Sequence, residues 1–310
     1  MKISVVVSTY NGSEYIVEQL ESLLKQSRQA DEVLIFDDAS KDSTPILIKQ
    51  YIEKNNLHTW KFIVNEENIG WRRNFIQGMK KCSGELIFLC DQDDICNFEK
   101  LKKMSAVMEN NLNIGLLAST YIETYSDGMK KEFIYSRSKD EKIIKVKMPS
   151  NILDVPFPGC VYCVRKTFFD VCSKYWTETC PHDALLWRSA VLAEKAYVFN
   201  EPLILWRKHE TSAWQQEIKT RNIKSELDWR KVEKSELEEL LQYLKTEFSG
   251  NKEVDFANAI VKRNLDWCLM RTHWFREKRL SAGIDLIKYL NLYHGYKGWL
   301  KDLYLVFRGK

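Results

Sequence analysis

Three carboxylates stand within four positions at Asp91, Asp93 and Asp94, directly after an apolar run over 85–89 that reads as a buried strand. In a parallel sheet, ligands bind in the crevice beyond the carboxyl ends of the strands. Carboxylate oxygens at such an end suit a hard divalent cation, Mg2+ or Mn2+, and that cation suits a diphosphate. A single Asp there would sooner cap the helix expected from near Asn97. Three together point to metal or phosphate chemistry, provided that neighbouring strand ends bring complementary groups.

Three earlier apolar runs do end in such groups. The run over 3–8 closes in Thr9, Tyr10 and Asn11, and the run over 33–36 closes in Asp37 and Asp38. After a third run over 62–64, Arg72 and Arg73 open the next helix. The set holds an aromatic ring for stacking, carboxylates for a base or ribose, guanidinium groups and a metal anchor. That combination fits a nucleoside diphosphate. Neither GxxxxGK[ST] nor GxGxxG occurs in the chain, which turns the reading away from nucleotide triphosphatases and dinucleotide enzymes.

The elements that must hold these groups follow from periodicity. Helices are expected to run to about Gln26, over 45–54 and from about Asn68 to Lys81. They alternate with the four strands. Such alternation predicts an α/β domain with a doubly wound, largely parallel sheet. Further on we expect a helix over 97–110, a strand over 114–121, a hairpin or loops over 123–150 and a strand over 161–164. A helix over 181–194 and two short strands, 196–199 and 203–206, complete the pattern. Gly159 stands where backbone must pass closely, in a turn into the 161–164 strand.

The succession SVVVSTYNG at 4–12, VLIFDDASKDST at 33–44, NEENIGWRRNF at 65–75 and GELIFLCDQDD at 84–94 resembles the inverting family 2 glycosyltransferases of the GT-A fold. The DQDD form looks most like bacterial rhamnosyltransferases of surface-polysaccharide synthesis. The resemblance covers about 1–210 and implies a GT-A (Rossmann-like) catalytic domain, with its nucleotide-binding half over 1–110 and its acceptor half over 111–210. It implies transfer of a sugar, with inversion and a divalent metal, from dTDP-rhamnose or a UDP-hexose to a hydroxyl of a glycan or lipid-linked glycan. Thr9, Tyr10, Asn11, Asp38, Arg72 and Arg73 would then hold the nucleotide, and Asp91 the ribose or the metal. Asp93 would hold the Mg2+ or Mn2+, with Asp94 left open as an alternative. Asp183, which on its own could be a helix cap, would be the general base, with His182 shaping the site and Gly159 lying by the acceptor. Arg207-Lys208-His209 is similar to the family's YRxH ending, with Trp206 in place of Tyr. His209 would be a further metal or diphosphate ligand and Arg207 a phosphate contact. Two other classes stay open: a nucleotide-sugar hydrolase or pyrophosphorylase-like enzyme, and a non-catalytic nucleotide-binding assembly subunit.

The bulk composition agrees with a folded enzyme: 45% apolar, 29% charged and a net charge of +4. The basic surplus falls after residue 210, and no nucleic-acid module is visible. Eight cysteines are scattered, and Cys160 and Cys163 read as ordinary buried thiols of a reducing compartment. The opening residues enter a strand directly without a signal-peptide pattern, so a cytoplasmic enzyme is expected. Residues 211–310 are expected to be a helical extension, with helices over 215–245 and 255–279 and a basic, aromatic-rich tail. That tail reads either as an appendage packed on the enzyme or a dimer partner, or as an interfacial segment at the inner face of the cell membrane.

Overall fold

The computed structural model describes residues 1–137, 141–209, 223–249, 254–293 and 295–308. The chain divides into two compact units. The first comprises 1–146, 156–174 and 181–209; the second comprises 147–155, 175–180 and 210–310.

The first unit is built on β1 (Ile3–Thr9), whose β-branched run Val5-Val6-Val7 is fully buried. It lies parallel to β2 (Glu32–Asp37) on one side and β4 (Leu86–Asp91) on the other, and β3 (Trp60–Val64) adds to β2. Register sets Thr9 opposite Asp37 and Ser8 opposite Asp91, so these strands end level at one edge. The helices α1 (Ile16–Leu24), α2 (Thr44–Lys54) and α3 (Trp71–Lys81) return the chain between strands. Ile16, Leu20 and Leu23 bury one face of α1 at the spacing a single helical face requires.

Beyond β4 the sheet departs from the largely parallel expectation. Its main path runs β3-β2-β1-β4, then β9 (Tyr162–Arg165), β6 (Leu116–Tyr125), β10 (Ala196–Lys208) and β5 (Ile95–Cys96). The strand β9 (Tyr162–Arg165) runs antiparallel to both β4 and β6 (Leu116–Tyr125). A reversed strand starts at the crevice where its neighbours finish. The 3-10 turn Gly159–Val161 before β9 therefore sits at the carboxyl end of β4.

The two short strands expected around 200–202 are one strand, β10 (Ala196–Lys208), parallel to β6 with register breaks on either side of Pro202. The bulge accommodates a residue with no N–H to give the ladder, so the strand continues through it. β10 then delivers Arg207 to the crevice, and β5 (Ile95–Cys96) pairs antiparallel with it, tying the acidic loop to that end. Within 123–150, β7 (Lys130–Phe133) forms a hairpin with an extended β6, and β8 (Ile143–Lys145) joins β10. The helices α4 (Lys100–Asn110), α5 (Lys166–Cys172) and α6 (His182–Leu192) complete the unit.

In the second unit, α7 (Ile223–Glu247) and α8 (Val254–Glu277) are long helices, followed by α9 (Leu280–Ile284), a 3-10 stretch and α10 (Tyr296–Arg308). The part of the first helix expected over 215–222 lies outside the described residues. Trp267, Trp274, Phe275, Leu286, Leu292 and Val306 form the core. Arg271 is buried there, paired with Asp302 at 2.7 and 2.9 Å and lying against the rings of Trp267 and Tyr293.

Fully buried Asn264 fixes segment 147–155 to α8. Its Nδ2 donates to Ser150 O at 2.8 Å, and its Oδ1 accepts from Ile152 N at 3.2 Å. Replacing Asn264 by Ala leaves both backbone groups without that partner. The expected loss is about 1–3 kcal/mol of stability, checked by chemical denaturation of the variant against the parent.

Candidate active site

The loops after β1 and β2 are laced together. Thr9 Oγ1 donates to Asp37 at 2.8 Å, and Asp37 also accepts from Ser40 N and Ser40 Oγ. Asn11, at φ 48°, accepts from Lys41 N and donates its own N–H to Ser40 Oγ, both at 2.8 Å. Thr9 and Asn11 therefore shape the floor of the crevice through internal hydrogen bonds. Tyr10 instead is 44% exposed, and its backbone is held. Gln92, between Asp91 and Asp93 of the acidic motif, accepts from Tyr10 N at 2.8 Å and donates to Tyr10 O at 3.0 Å. A Cβ on Gly12 would lie 2.1 Å from Gln92 Oε1, so glycine is required for the clamp. Sequence reasoning passed over Gln92; its one signal is its place inside the motif.

Asp38 is buried, and its carboxylate accepts from Asn65 Nδ2, Ile69 N and Gly70 N at 2.8–2.9 Å. It organises the loop that opens α3 and so positions Arg72 and Arg73 in the first turn. The Arg72 guanidinium lies over Trp71 at 4.3 Å, and its charge is felt at both His182 and Asp183.

His182 and Asp183 begin α6. His182 stacks on Phe75 at 4.0 Å and meets Trp71 edge-on. Burial, with the Arg72 charge, pushes its imidazole down to about 3, so it is neutral and packs rather than titrates. A Cβ on Gly159 would fall 2.6 Å from His182 Nε2, and that close approach is why glycine stands there. Asp183 Oδ1 accepts from Ala184 N at 2.8 Å. Burial raises the Asp183 carboxyl above its ordinary range, against the pull of that N–H, Arg188 and Arg72. A carboxylate so raised is a better proton acceptor at neutral pH.

The acidic motif and the end of β10 meet. Burial, then the charges of Asp93 and Asp183, push the Asp91 carboxyl up to about 7, so these three carboxyl groups lie in one field. His209 Nε2 is 2.5 Å from Asp93 Oδ2, and that hydrogen bond raises the imidazole's pKa. Arg207 is spent on scaffolding. Its N–H donates to Asp94 Oδ1, its Nε to Asp93 O and its Nη2 to Glu18, while the guanidinium lies over Tyr15. Beneath the motif lies Lys100, fully buried, donating to Cys160 O at 2.6 Å. No sequence signal marks it, since a lysine at the start of a helix reads as surface. Although burial opposes its charge, the neighbours, Cys96 first, keep its ammonium protonated.

Two donor sets could receive a cation. Asp91, Asp94 and the Cys160 thiol converge within 4.8 Å, so Cys160, a buried thiol, lies beside the acidic motif. However, Asp94 is almost fully buried, and burial with the Asp93 and Asp91 charges raises its carboxyl far above the usual range. A neutral carboxyl and a protonated thiol beside a buried ammonium suit a hard cation poorly. Asp93 and His209 offer an oxygen and a nitrogen in contact, each partly exposed, that share a proton a divalent cation can replace. The second set fits Mg2+ or Mn2+ better.

A crevice of this kind, at the carboxyl ends of a mixed sheet of this order, defines the GT-A-like class of fold. The family model described as Glycosyl transferase family 2 matches residues 4–175, over half of the chain, and the chain belongs to that family. Over 113 residues it is 37% identical to poly(ribitol-phosphate) beta-N-acetylglucosaminyltransferase TarS of Staphylococcus aureus, covering 36% of this chain and 19% of that protein. Over 228 residues it is 26% identical to the glycosyltransferase GlyG of Streptococcus pneumoniae, covering 70% of this chain and 74% of GlyG. Among solved structures, S. aureus TarS 1-349 in complex with UDP-GlcNAc superposes with a TM-score of 0.62 at 20% identity, over 98% of this chain and 82% of that one. The mannosyltransferase PcManGT of Pyrobaculum calidifontis, in complex with GDP-Man and Mn2+, gives 0.51 at 16% identity over 98% and 84%. At these identities the structural likeness speaks for the fold.

Proposed function

We propose that this glycosyltransferase moves a sugar from a nucleoside-diphosphate donor to an acceptor hydroxyl with inversion at the anomeric carbon, in a metal-dependent reaction. The observation that carries this is Asp183, a partly buried carboxylate of raised basicity in the same electrostatic field as the Asp91–Asp93 motif. Asp183 takes the acceptor proton as the hydroxyl oxygen attacks from the face opposite the leaving group. The bond from the anomeric carbon to the diphosphate oxygen breaks with its electron pair leaving on oxygen, and a single displacement of this kind inverts. Tyr10 stacks on the base, Thr9, Asn11 and Asp38 form the walls around base and ribose, and Arg72, Arg73 and Asp91 line the donor. Asp93 and His209 would hold a divalent cation, which supplies charge compensation for the departing diphosphate. Arg207 and Asp94 fix the geometry of that pair.

The kinship with TarS supports a uridine donor, UDP-GlcNAc or another UDP-hexose; dTDP-rhamnose remains the second donor to try. A hydroxyl of a surface glycan or of a polyol phosphate, lipid-linked or free, is the acceptor class this kinship favours.

Calorimetric titration with UDP and with dTDP, each with and without Mn2+, tests the reading. Tight binding of one nucleotide that requires Mn2+ supports it. Failure of both nucleotides to bind in Mn2+ overturns the site as drawn. Release of free sugar without any acceptor would move the protein to the hydrolases.

A further inference from the structure

We infer that α10 and the segment before it form a docking surface for an anionic lipid bilayer. On α10, Tyr296, Leu300 and Tyr304 recur at every fourth position and are 63%, 46% and 54% exposed. Side chains at that spacing share one face of a helix. Preceding them, Leu280, Ile284 and Ile287 are also exposed at helical spacing. Trp299 Nε1 donates to Gly283 O at 2.8 Å and Trp299 stacks on Trp274, so Trp299 ties α10 to both α9 and α8. The opposite side of α10 is satisfied, with Val306 in the core and Asp302 paired with Arg271. The outward stripe is therefore surplus to folding.

Charge says what covers it. Lys297, Lys301 and Arg308 are exposed beside the stripe, Lys288 is exposed in the preceding segment, where Arg279 pairs with Glu277, and Arg308 lies over the Tyr304 ring at 5.0 Å. Against them over 278–308 stands one exposed acid, Asp285, since Asp302 is buried. A helix with large apolar and aromatic groups on one face and cations along its flank lies in the plane of an anionic membrane surface. A second copy placed symmetrically on the same face would bring the cationic flanks together, which disfavours a dimer. A nucleic acid would use the cations but not Leu300, Ile284 or Ile287. No helix among the described residues is long and apolar enough to cross a bilayer, so the contact is peripheral.

The test is co-sedimentation of the full chain with phosphatidylglycerol-containing vesicles, with pure phosphatidylcholine vesicles as reference. Binding is expected to the first, to weaken with salt, and to be slight to the second. The triple substitution Lys297→Gln, Lys301→Gln, Arg308→Gln should lower vesicle affinity about 100-fold, at roughly a factor of five for each cation near the surface. Leu300→Ser with Tyr304→Ser should also release the protein, while both variants keep the parent's circular dichroism and thermal melt. Absence of binding to phosphatidylglycerol vesicles at low salt overturns the proposal, as does equal binding by the variants. A lipid-free dimer that Leu300→Ser with Tyr304→Ser dissociates would assign the face to a second copy instead. Vesicle binding needs neither donor nor turnover, so its outcome is independent of the transferase reading.

Discussion

Asp183→Asn is expected to lower the transfer rate about 10²–10⁴-fold, the span that general-base catalysis contributes. Donor affinity should change little. The amide keeps the size of the carboxylate, and its oxygen can still accept from Ala184 N, so α6 begins as before. What disappears is the acceptor for the hydroxyl proton. Without that acceptor the attacking oxygen must carry its proton into the new bond as an oxonium and lose it to solvent, while the diphosphate leaves as before. The readout is release of the nucleoside diphosphate in the presence of acceptor, set beside calorimetric affinity for the nucleotide. An Asp183→Asn protein with full turnover would remove the residue from the role of base.

The pH profile carries the same argument with a defined sign. The raised pKa of Asp183 means that the carboxylate is lost, and activity with it, as pH falls through a value above the usual carboxylate range. Asp91, pushed up to about 7, and His209, raised by Asp93, contribute to the same acid limb. The residual activity of Asp183→Asn should keep their share of the limb and lose its own. A wild-type profile flat down to ordinary carboxylate values would contradict the burial of the base.

Much of the catalytic framework is legible in the sequence because its signals are local. Apolar runs such as 3–8 and 85–89 announce buried strands, and the polar residues that follow them must lie at strand ends. The direction of β9 is not local. Tyr162-Cys163-Val164 reads the same in either orientation, and only the sheet decides that it reverses and brings Gly159 and Cys160 to the crevice. The continuity of β10 through Pro202 was hidden for a similar reason: proline signals a break, and a bulge that bypasses it needs the partner strand β6 to be seen. Roles of polar residues were least legible. Asp38 and Arg207 have the chemistry of ligand-binding groups and also hold loops, a role that rests on hydrogen-bond partners many residues away and cannot be read from composition or spacing. Lys100 shows the converse, a buried charge with no local sign of its burial.

Asp93→Ala is expected to abolish the Mn2+-dependent part of nucleotide affinity. Losing a group that merely supports a metal ligand costs about 10–100-fold in metal affinity, and losing a ligand should cost more. His209→Ala should act in the same direction. It removes the second donor of a pair whose atoms stand 2.5 Å apart. Asp94→Asn is the discriminating control. Its Oδ1 can still accept from Arg207 N, and a carboxyl already raised far above its usual range loses little charge on becoming an amide. It should therefore retain metal-dependent binding. Cys160→Ala should retain it as well, since a buried thiol beside Lys100 stays protonated and offers a hard cation little. Calorimetric titration of UDP and dTDP, with and without Mn2+, across these four variants separates the two donor sets. If Asp94→Asn and Cys160→Ala lose the metal effect while Asp93→Ala keeps it, the cation belongs to the inner cluster of Asp91, Asp94 and Cys160. Lys100 would then have to be reread as a group that yields its proton when the metal arrives.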